Sequence, residues 1–388
     1  MEPWAVPLSD VDVSDELAEA VRETVKSGWW SMGPRVAELE REFTSLCGTA
    51  HALAVANGTV ALHAALVACA CGPGDEVVLP SLNFVAAANV VIHTGATPVF
   101  CDIVGEEDLN LDPRDLQAAL SPSTKAVIAL HYGGHPCAMD EVLALAADRG
   151  FSVVEDAAHA PGATLGGRPC GSMGAIGCFS FFSNKNLPVG EGGMLVTNDD
   201  ELSERLRLLR SHGMTTLTWD RHRGHAHSYD VVTHGFNYRL DEIRAAMALV
   251  QLGRLAEGNA SRARIVERYR ALLDGVDGIS MPFGRQLAGA SSSHHLAVVL
   301  LPTDVPRGEV REALAARRIQ TSVHYPPIHS FTAFRELSRR SLPRTDALAE
   351  RILTLPLYPH LADEQVELVA EELVSAVRAS RPRARAAG

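Results

Sequence analysis

The chain has 388 residues, of which 46% are hydrophobic and 21% are charged, and its formal net charge is −12. This composition is typical of a soluble globular protein with one large or two ordinary domains, and it excludes a disordered chain. The negative charge argues against binding nucleic acid through its phosphates. The N-terminal residues "MEPWAVPLSD" form neither a basic nor an apolar signal region, and no later apolar run reaches spanning length. We therefore expect a cytoplasmic protein that contacts no membrane.

The cysteine pattern suggests neither disulfides nor a zinc site. The seven cysteines are odd in number, scattered, and never spaced as C-x-x-C. We expect them to behave as small buried hydrophobic residues.

The first two thirds of the chain alternates between helical and strand patterns. Ser14 can cap a helix that ends at Gly28, and Pro34 can begin a second helix that ends at Gly48. Predicted strands then cover residues 51–56, 76–80, 97–102, 125–131 and 151–156, and predicted helices cover 58–70, 84–93 and 139–149. Short, continuously apolar strands between helices predict an α/β fold, a mostly parallel sheet covered by helices on both faces.

The last third shows a different order of patterns. Two helices are predicted near 239–256 and 258–274. An apolar stretch at 294–301, a helix near 307–317, the stretch "IQTSVHYP" at 319–326 and a helix near 363–378 follow. These patterns predict a large α/β domain with N-terminal helices over residues 1–255 and a small α+β domain over residues 256–388.

Lys185, in "FSFFSNKNLPVGEGG", ends an aromatic strand-like run and precedes a glycine-rich turn. A lysine is seldom enclosed without compensation for its charge, so three interpretations compete. It is a solvated loop residue, a phosphate-binding lysine, or a nucleophile that forms a Schiff base. The Walker motif places its glycines before the lysine, whereas Gly190, Gly192 and Gly193 follow it here.

Further candidate residues follow predicted strands, where ligands of open parallel sheets bind. Each also has an ordinary structural interpretation: Asp156 as a helix cap, His159 and Phe84 as packing residues, and the turn at Asn57 as a plain connection. Gly58 and Thr59 begin a helix whose N-terminus can bind an anion. Ser180 lies at the same edge of the sheet if its strand ends near Lys185.

Pyridoxal 5'-phosphate (PLP) is the cofactor that needs all these groups together. It requires a lysine, a carboxylate that keeps the ring nitrogen protonated, a phosphate site and a flat group against the ring. A dinucleotide site is excluded because no strand is followed by G-x-G-x-x-G. A metal site is disfavoured because the five histidines between 212 and 234 (His212, His222, His225, His227 and His234) match no helical ligand spacing. This segment suits a loop that contacts the substrate or another subunit.

Six stretches, in this order, resemble the StrS-like (DegT/DnrJ/StrS) sugar aminotransferases, which are fold-type I PLP enzymes. They are "GWWSMGPRVAELEREF", "ANGTVALHAAL", "EDAAHAPGA", "FSFFSNKNLPVGEGGMLVT", "GFNYRLDEIRAAMALVQL" and "HYPPIHS". The resemblance extends from about residue 6 to about residue 375. Lys185 distinguishes the chain from related sugar dehydratases, which carry a histidine at this position.

The resemblance implies a role for each matching residue. Lys185 would be the catalytic residue, binding PLP covalently and then moving the proton. Asp156 would pair with the ring nitrogen and His159 would lie near the ring hydroxyl. The other implied cofactor contacts are the stacking residue Phe84, the phosphate-binding residues Gly58, Thr59 and Ser180, and Asn237, which would reach the phosphate of a neighbouring subunit. Arg239, Tyr325 and His329 would lie near the substrate.

Two positions depart from the pattern of the family. Asn83 stands where threonine is usual, and Pro188 stands where a small or hydroxyl residue is usual. Each could change local contacts with the cofactor, and neither removes the chemistry.

The resemblance implies an obligate homodimer with shared active sites. It also implies transfer of an amino group from L-glutamate or glutamine to the ketone of a nucleotide-linked sugar, for natural-product or cell-surface glycan biosynthesis. Two alternatives stay open: a cyclitol ketone as the acceptor, and a PLP-binding regulatory protein without turnover.

Overall fold

The structure is a computed structural model that describes residues 4–216 and 228–381. In these ranges the α-helices, α1 to α11 in chain order, are Asp15–Ser27, Pro34–Cys47, Gly58–Ala68, Ala86–Thr94, Pro113–Ala119, Met139–Arg149, Asp200–Arg210, Glu242–Leu273, Arg307–Ala316, Pro343–Ala349 and Asp363–Ser380. The strands, β1 to β12, are His51–Val55, Glu76–Pro80, Thr97–Cys101, Thr124–Leu130, Ser152–Asp156, Thr164–Leu165, Arg168–Pro169, Ile176–Ser180, Gly193–Thr197, Ala290–Ser291, Ala297–Leu300 and Ile352–Leu355.

A central sheet organises the first two thirds of the described chain. Its seven strands run in the order β1-β9-β8-β5-β4-β2-β3. Strand β9 is antiparallel to both of its neighbours, and the other pairs are parallel. Nearly every residue of these strands is buried because helices cover both faces. The predicted α/β fold class is confirmed.

The two N-terminal helices begin and end where the sequence predicts. The Ser14 hydroxyl accepts a hydrogen bond from the Leu17 N–H at 3.2 Å. Gly28 and Gly48 end α1 and α2 with φ angles of 73° and 61°, in the left-handed region that favours glycine.

A distant residue completes the cap of α2. The carboxylate of Glu242, at the start of α8, accepts hydrogen bonds from the N–H groups of Gly33, Arg35 and Val36 at 2.8–2.9 Å. These are the groups that the first turn of a helix leaves without an internal partner. The contact therefore fixes α2 to α8 across more than 200 residues of sequence.

Helix α8 is continuous where the sequence predicted two helices, so that prediction is wrong. It extends over 32 residues and passes through Gly253 and Gly258. It packs on α1 and α2 at one end and on α11 at the other, and this tertiary packing offsets the low helix propensity of glycine. The predicted boundary between residues 255 and 256 falls inside this helix. The division into two domains stays a prediction.

A second hydrophobic core lies around the antiparallel pair β11 and β12, with α9, α11 and the last part of α8. The stretch 319–326 forms no strand. Instead, Ile319 bridges to Val6 and Ser322 bridges to Thr354. The strand that pairs with β11 is β12, which the periodicity did not indicate.

All seven cysteines are buried, as the sequence predicted. In the described ranges, no helix combines the length and the apolar composition that crossing a membrane requires.

Candidate active site

A cavity of about 570 Å³ opens at the carboxyl ends of β1, β2, β4, β5 and β8. Eight of the residues singled out from the sequence line it: Gly58, Thr59, Phe84, Asp156, His159, Ser180, Lys185 and Tyr325. They come from five separate segments of the chain, and the parallel sheet brings them together because its strand ends share one edge.

The N-terminus of α3 forms one wall of this cavity. The Asn57 side chain accepts a hydrogen bond from the Val60 N–H at 3.0 Å and so caps the helix. A Cβ atom on Gly58 would lie 2.8 Å from the Ser180 Cβ, so only glycine lets the first helical turn approach Ser180 this closely. The helix dipole, free first-turn amides and a neighbouring hydroxyl make this wall suited to a phosphate group.

Strand β5 ends in two carboxylates with separate tasks. Because side chains alternate along a strand, Asp156 enters the cavity and Glu155 points to the other face. The Glu155 carboxylate accepts hydrogen bonds from the N–H groups of Gly171, Met173 and Gly174 at 2.5–2.7 Å. It also lies 2.9 Å from His131 Nε2. Glu155 therefore holds the loop under the strand and leaves Asp156 available for chemistry.

Asp156 is a buried carboxyl group, only 5% exposed. Burial raises its pKa. The Ala158 N–H, at 3.3 Å from Oδ1, and the charge of Lys185 oppose this effect. Asn83 lies near enough to lower the pKa further, although its Nδ2 has no partner of ordinary hydrogen-bond geometry among the described residues. A cationic N–H in the cavity would satisfy this carboxylate.

Lys185 lies five residues beyond the end of β8. Part of its side chain borders the cavity, but the surrounding protein desolvates its ammonium group and lowers its pKa to about 8. The charge of Asp156 acts in the opposite direction. A lysine with this pKa can supply both an amine and an ammonium group near neutral pH, as proton transfer requires.

Neighbouring residues explain the position of this lysine. The Asn186 side chain donates to the Asn259 side chain and to the Ser293 carbonyl, both at 2.8 Å, and anchors the loop. A Cβ atom on Gly193 would lie 2.7 Å from the Asn57 carbonyl carbon. The glycine-rich turn is thus needed where the chain returns against the α3 wall.

His159 is joined to Tyr325. Its Nδ1 accepts from the Gly133 N–H at 3.2 Å, so the proton lies on Nε2, which donates to the Tyr325 hydroxyl at 2.8 Å. Burial keeps the pKa of His159 well below its ordinary value, and the charge of Lys185 lowers it further. The neutral imidazole therefore orients a phenol at the cavity wall.

Phe84 presents an open aromatic surface. It is 55% exposed, and its ring centroid lies 5.8 Å from that of Tyr325. A half-exposed phenylalanine beside a cavity suits a flat ligand better than it suits core packing.

Three predicted residues lie outside the cavity lining. Asn237 is exposed, and Arg239 bridges to Val55 at the end of β1. His329 binds the Ser81 hydroxyl at 2.7 Å through Nδ1 and the Asp346 carboxylate at 2.9 Å through Nε2. The roles of these three residues stay predictions.

The histidine-rich segment is described only in part, because residues 217–227, with His222, His225 and His227, lie outside the described residues. Among the residues that are described, no cluster of three or more His, Cys, Asp or Glu side chains could hold a metal ion.

His324 and Asn83 are lining residues to which the sequence analysis assigned no role. His324 precedes Tyr325 in "HYPPIHS", and burial lowers its pKa to about 4. Its Nδ1 lies 2.9 Å from the Thr354 hydroxyl. Asn83 was recognised only as a departure from the family. The sequence could have indicated both, because His324 directly precedes Tyr325 and Asn83 directly precedes Phe84.

The residues present fit PLP. The under-satisfied Asp156 carboxylate suits a ring nitrogen that carries a proton, and the close approach of Gly58 to Ser180 makes a phosphate cradle. Lys185 and the open face of Phe84 border the same space. Each requirement of the cofactor is met by a different wall of one cavity.

Comparisons with known proteins identify the family of this chain. Residues 11–374 match the model of the DegT/DnrJ/EryC1/StrS aminotransferase family. The spore coat polysaccharide biosynthesis protein SpsC of Bacillus subtilis (strain 168) is 40% identical over 384 residues, which cover 97% of each chain. The aminotransferase TlmJ from Streptoalloteichus hindustanus is 36% identical with a TM-score of 0.90, covering 96% of this chain and 99% of its own.

Spr1654 from Streptococcus pneumoniae, solved in a PLP form, is 28% identical with a TM-score of 0.90; the match covers 97% of this chain and 100% of that one. These findings confirm the cofactor and the enzyme class predicted from the sequence. The chain belongs to the DegT/DnrJ/EryC1/StrS aminotransferase family.

Proposed function

We propose that this enzyme transfers an amino group from L-glutamate, or from glutamine, to the ketone of a nucleotide-linked sugar and releases an amino sugar. The observation that carries the proposal is the pairing of Lys185, with a pKa of about 8, and the buried carboxyl of Asp156 in one cavity. Transamination needs a lysine that can both accept and return a proton near neutral pH.

Each residue of the cavity has a task in this reaction. When bound, PLP supplies an electron sink for the bond that breaks at the substrate carbon. Lys185 Nζ holds the proton that leaves one carbon and returns it to the other. Asp156 keeps a positive charge on the neighbouring ring nitrogen, while Ser180 and the α3 N-terminus hold the phosphate.

The choice of a sugar acceptor is supported by the relatives. SpsC is named for the biosynthesis of spore coat polysaccharide, a polymer of sugars. The cavity of about 570 Å³, which Phe84 and Tyr325 line, leaves space for a ring-shaped acceptor. A cyclitol ketone has the same reacting group, so the test includes it.

We further propose that the enzyme acts as a homodimer with shared active sites. Asn237 is exposed and does not line its own cavity, which suits a residue that completes the site of a partner copy. Mixing inactive Lys185→Ala and Asn237→Ala chains should restore activity, because each hybrid dimer contains one site with neither substitution. If the mixture stays as inactive as its components, the shared site is wrong.

The function is tested in two half-reactions. Purified enzyme is mixed with glutamate or glutamine, and the cofactor absorbance should shift as the amino group is taken up. Nucleotide-linked keto sugars should then restore the original spectrum, whereas inosose-type ketones should not. Restoration by the cyclitol ketones alone would transfer the proposal to aminocyclitol formation, and no shift with any amino acid would contradict transamination.

A further inference from the structure

A second cavity, of about 240 Å³, lies beside the loop that carries Lys185. The N-terminal segment, the lysine loop, α8 and residues 357–360 enclose it, and Asn184 and Lys185 line both this cavity and the main one. The main cavity accounts for the cofactor, so the second one needs a separate explanation. Its volume is below the roughly 300 Å³ at which pockets for drug-sized ligands begin, so it suits a small molecule.

Arg262 is an unpaired buried cation in this second cavity. It is 6% exposed, and no carboxylate in the described part of the chain pairs with it. Arg254, two turns earlier on α8, lines the same cavity but forms a salt bridge with Asp12. A buried charge without a partner costs free energy, and an anion bound to the Arg262 guanidinium would offset this cost.

The geometry directs this guanidinium into the cavity. A Cβ atom on Gly258 would lie 3.4 Å from Arg262 Nη1 and 3.5 Å from Pro359 Cγ. The guanidinium thus lies back over the preceding turn of α8, between the helix and residues 357–360. Asp10 is held by His360, and Glu257 is exposed at the rim, so neither carboxylate neutralises the group.

The charges around the cavity are consistent with an anion site. Burial lowers the pKa of Arg262 to about 10, with no acidic group opposing it, so the side chain stays cationic at neutral pH. Burial also lowers the pKa of His295, and the charges of Lys185 and Arg262 lower it further. Both cations therefore lie close to the same imidazole.

Asn184 adds a second unsatisfied group. Its Oδ1 is buried and accepts no hydrogen bond from any residue that the structure describes. A guanidinium donor and an amide acceptor that line the same small cavity are complementary to a molecule that carries both a carboxylate and N–H groups. An amino acid has this combination.

We propose that Arg262 is the carboxylate-binding group of an amino-donor subsite, formed by the second cavity beside Lys185. The inference rests on the proposed transamination, which requires an amino-acid donor. Because Asn184 and Lys185 line both cavities, a donor anchored by Arg262 would adjoin the loop that carries the lysine that handles its proton.

The test uses glutarate, a dicarboxylate without an amino group, and measures its binding to the holoenzyme by calorimetry. Arg262→Met should weaken glutarate binding and raise the half-saturating glutamate concentration by roughly 10- to 100-fold, the effect of a lost charged hydrogen bond. Its melting temperature should not fall, because an unpaired buried charge is removed. The matched control Arg254→Met should change neither the glutarate dissociation constant nor the half-saturating glutamate concentration, since the surface ion pair of Arg254 contributes little.

The inference is wrong if Arg262→Met leaves the glutarate affinity and the half-saturating glutamate concentration unchanged. It is also wrong if Arg254→Met changes these two quantities as much as Arg262→Met does. Tighter binding of inorganic phosphate than of glutarate, again dependent on Arg262, would also overturn it. If Arg262→Met does not fold, Arg262→Lys keeps the charge without the planar fork and should still weaken glutarate binding. Glutarate binding that depends on Arg262 in an enzyme that accepts no amino donor would contradict the proposed function but retain the carboxylate site.

Discussion

The chain contains only three lysines, and the two outside the site, Lys26 and Lys125, are exposed. Lys185 differs because protein surrounds it, and the cost of desolvating its charge brings its pKa down to about 8. The nearby Asp156 prevents a still larger decrease. The reactivity of this site therefore depends on a balance between burial and one opposite charge.

This balance predicts how Lys185 titrates in the cofactor-free protein. Acetylation of its amine, followed by mass spectrometry at several pH values, should show a midpoint at about pH 8. In Asp156→Asn the midpoint should move lower, because the charge that raises the pKa is removed. A midpoint near the ordinary lysine value of about 10.4 in the unmodified protein would contradict the desolvation.

Asp156→Asn should also impair the reaction itself. An amide cannot stabilise a positive charge on the ring nitrogen, so we expect kcat to fall by roughly 100-fold or more. Asp156→Glu keeps the charge and should lose less activity. The melting temperature of both variants should stay close to that of the unmodified enzyme; equal activity of the two variants would show that the charge is not what matters.

At the scale of secondary-structure elements, the sequence predicted the helices and strands whose ends are marked by nearby residues. Ser14, Gly28, Pro34 and Gly48 mark helix ends through their own backbone preferences, and the structure places the ends of α1 and α2 there. Strand ends followed by polar residues likewise predicted the main cavity, and the family resemblance identified its chemistry.

Elements that depend on distant contacts could not be predicted in the same way. The continuity of α8 depends on packing against α1, α2 and α11, which local periodicity does not reveal. The second cavity has the same origin, because Arg262 meets the loop of Lys185 only in the folded chain. No motif in the sequence indicated that this arginine lacks a partner.

The contact between α2 and α8 gives a prediction at this scale. Glu242→Ala leaves three buried backbone N–H groups without their acceptor and should lower the free energy of unfolding by about 1–3 kcal/mol or more. Urea denaturation measures the change. Glu38 is a partly exposed glutamate on α2 itself, and Glu38→Ala should alter the free energy of unfolding by less than about 1 kcal/mol. Equal effects would contradict the long-range cap.

At the scale of the whole molecule, two hydrophobic cores share α8, and several histidines are buried. Burial lowers the pKa of six of them: His63, His135, His159, His294, His295 and His324. Histidines of the unfolded chain titrate near 6.5, so below this pH the unfolded state binds more protons. Stability should thus be fully present above pH 6.5 and lost as the pH falls toward 4.

Urea denaturation of the cofactor-free protein between pH 7.5 and pH 4.5 measures this dependence. Three groups act in the opposite direction: Asp108 and Asp156, whose pKa values burial raises, and His131, where burial lowers the pKa but Cys170 and Glu155 raise it to about 10. They are fewer than the six histidines with lowered pKa values. The ring centroids of His135 and Phe283 lie 3.9 Å apart in a stacked arrangement. His135→Phe therefore removes one titrating group at modest cost in packing, and the free energy of unfolding should then depend less steeply on pH. A free energy of unfolding that rises as the pH falls would contradict the lowered pKa values of these histidines.

Of the three lysines, we expect Lys185 alone to bind the cofactor covalently. Borohydride reduction of the holoenzyme, followed by peptide mass spectrometry, tests it directly, and Lys26 and Lys125 provide internal controls. We expect the mass of the reduced cofactor on the peptide that contains Lys185 and on neither of the other two. An unmodified Lys185, or labelling spread evenly over the three lysines, would contradict the account.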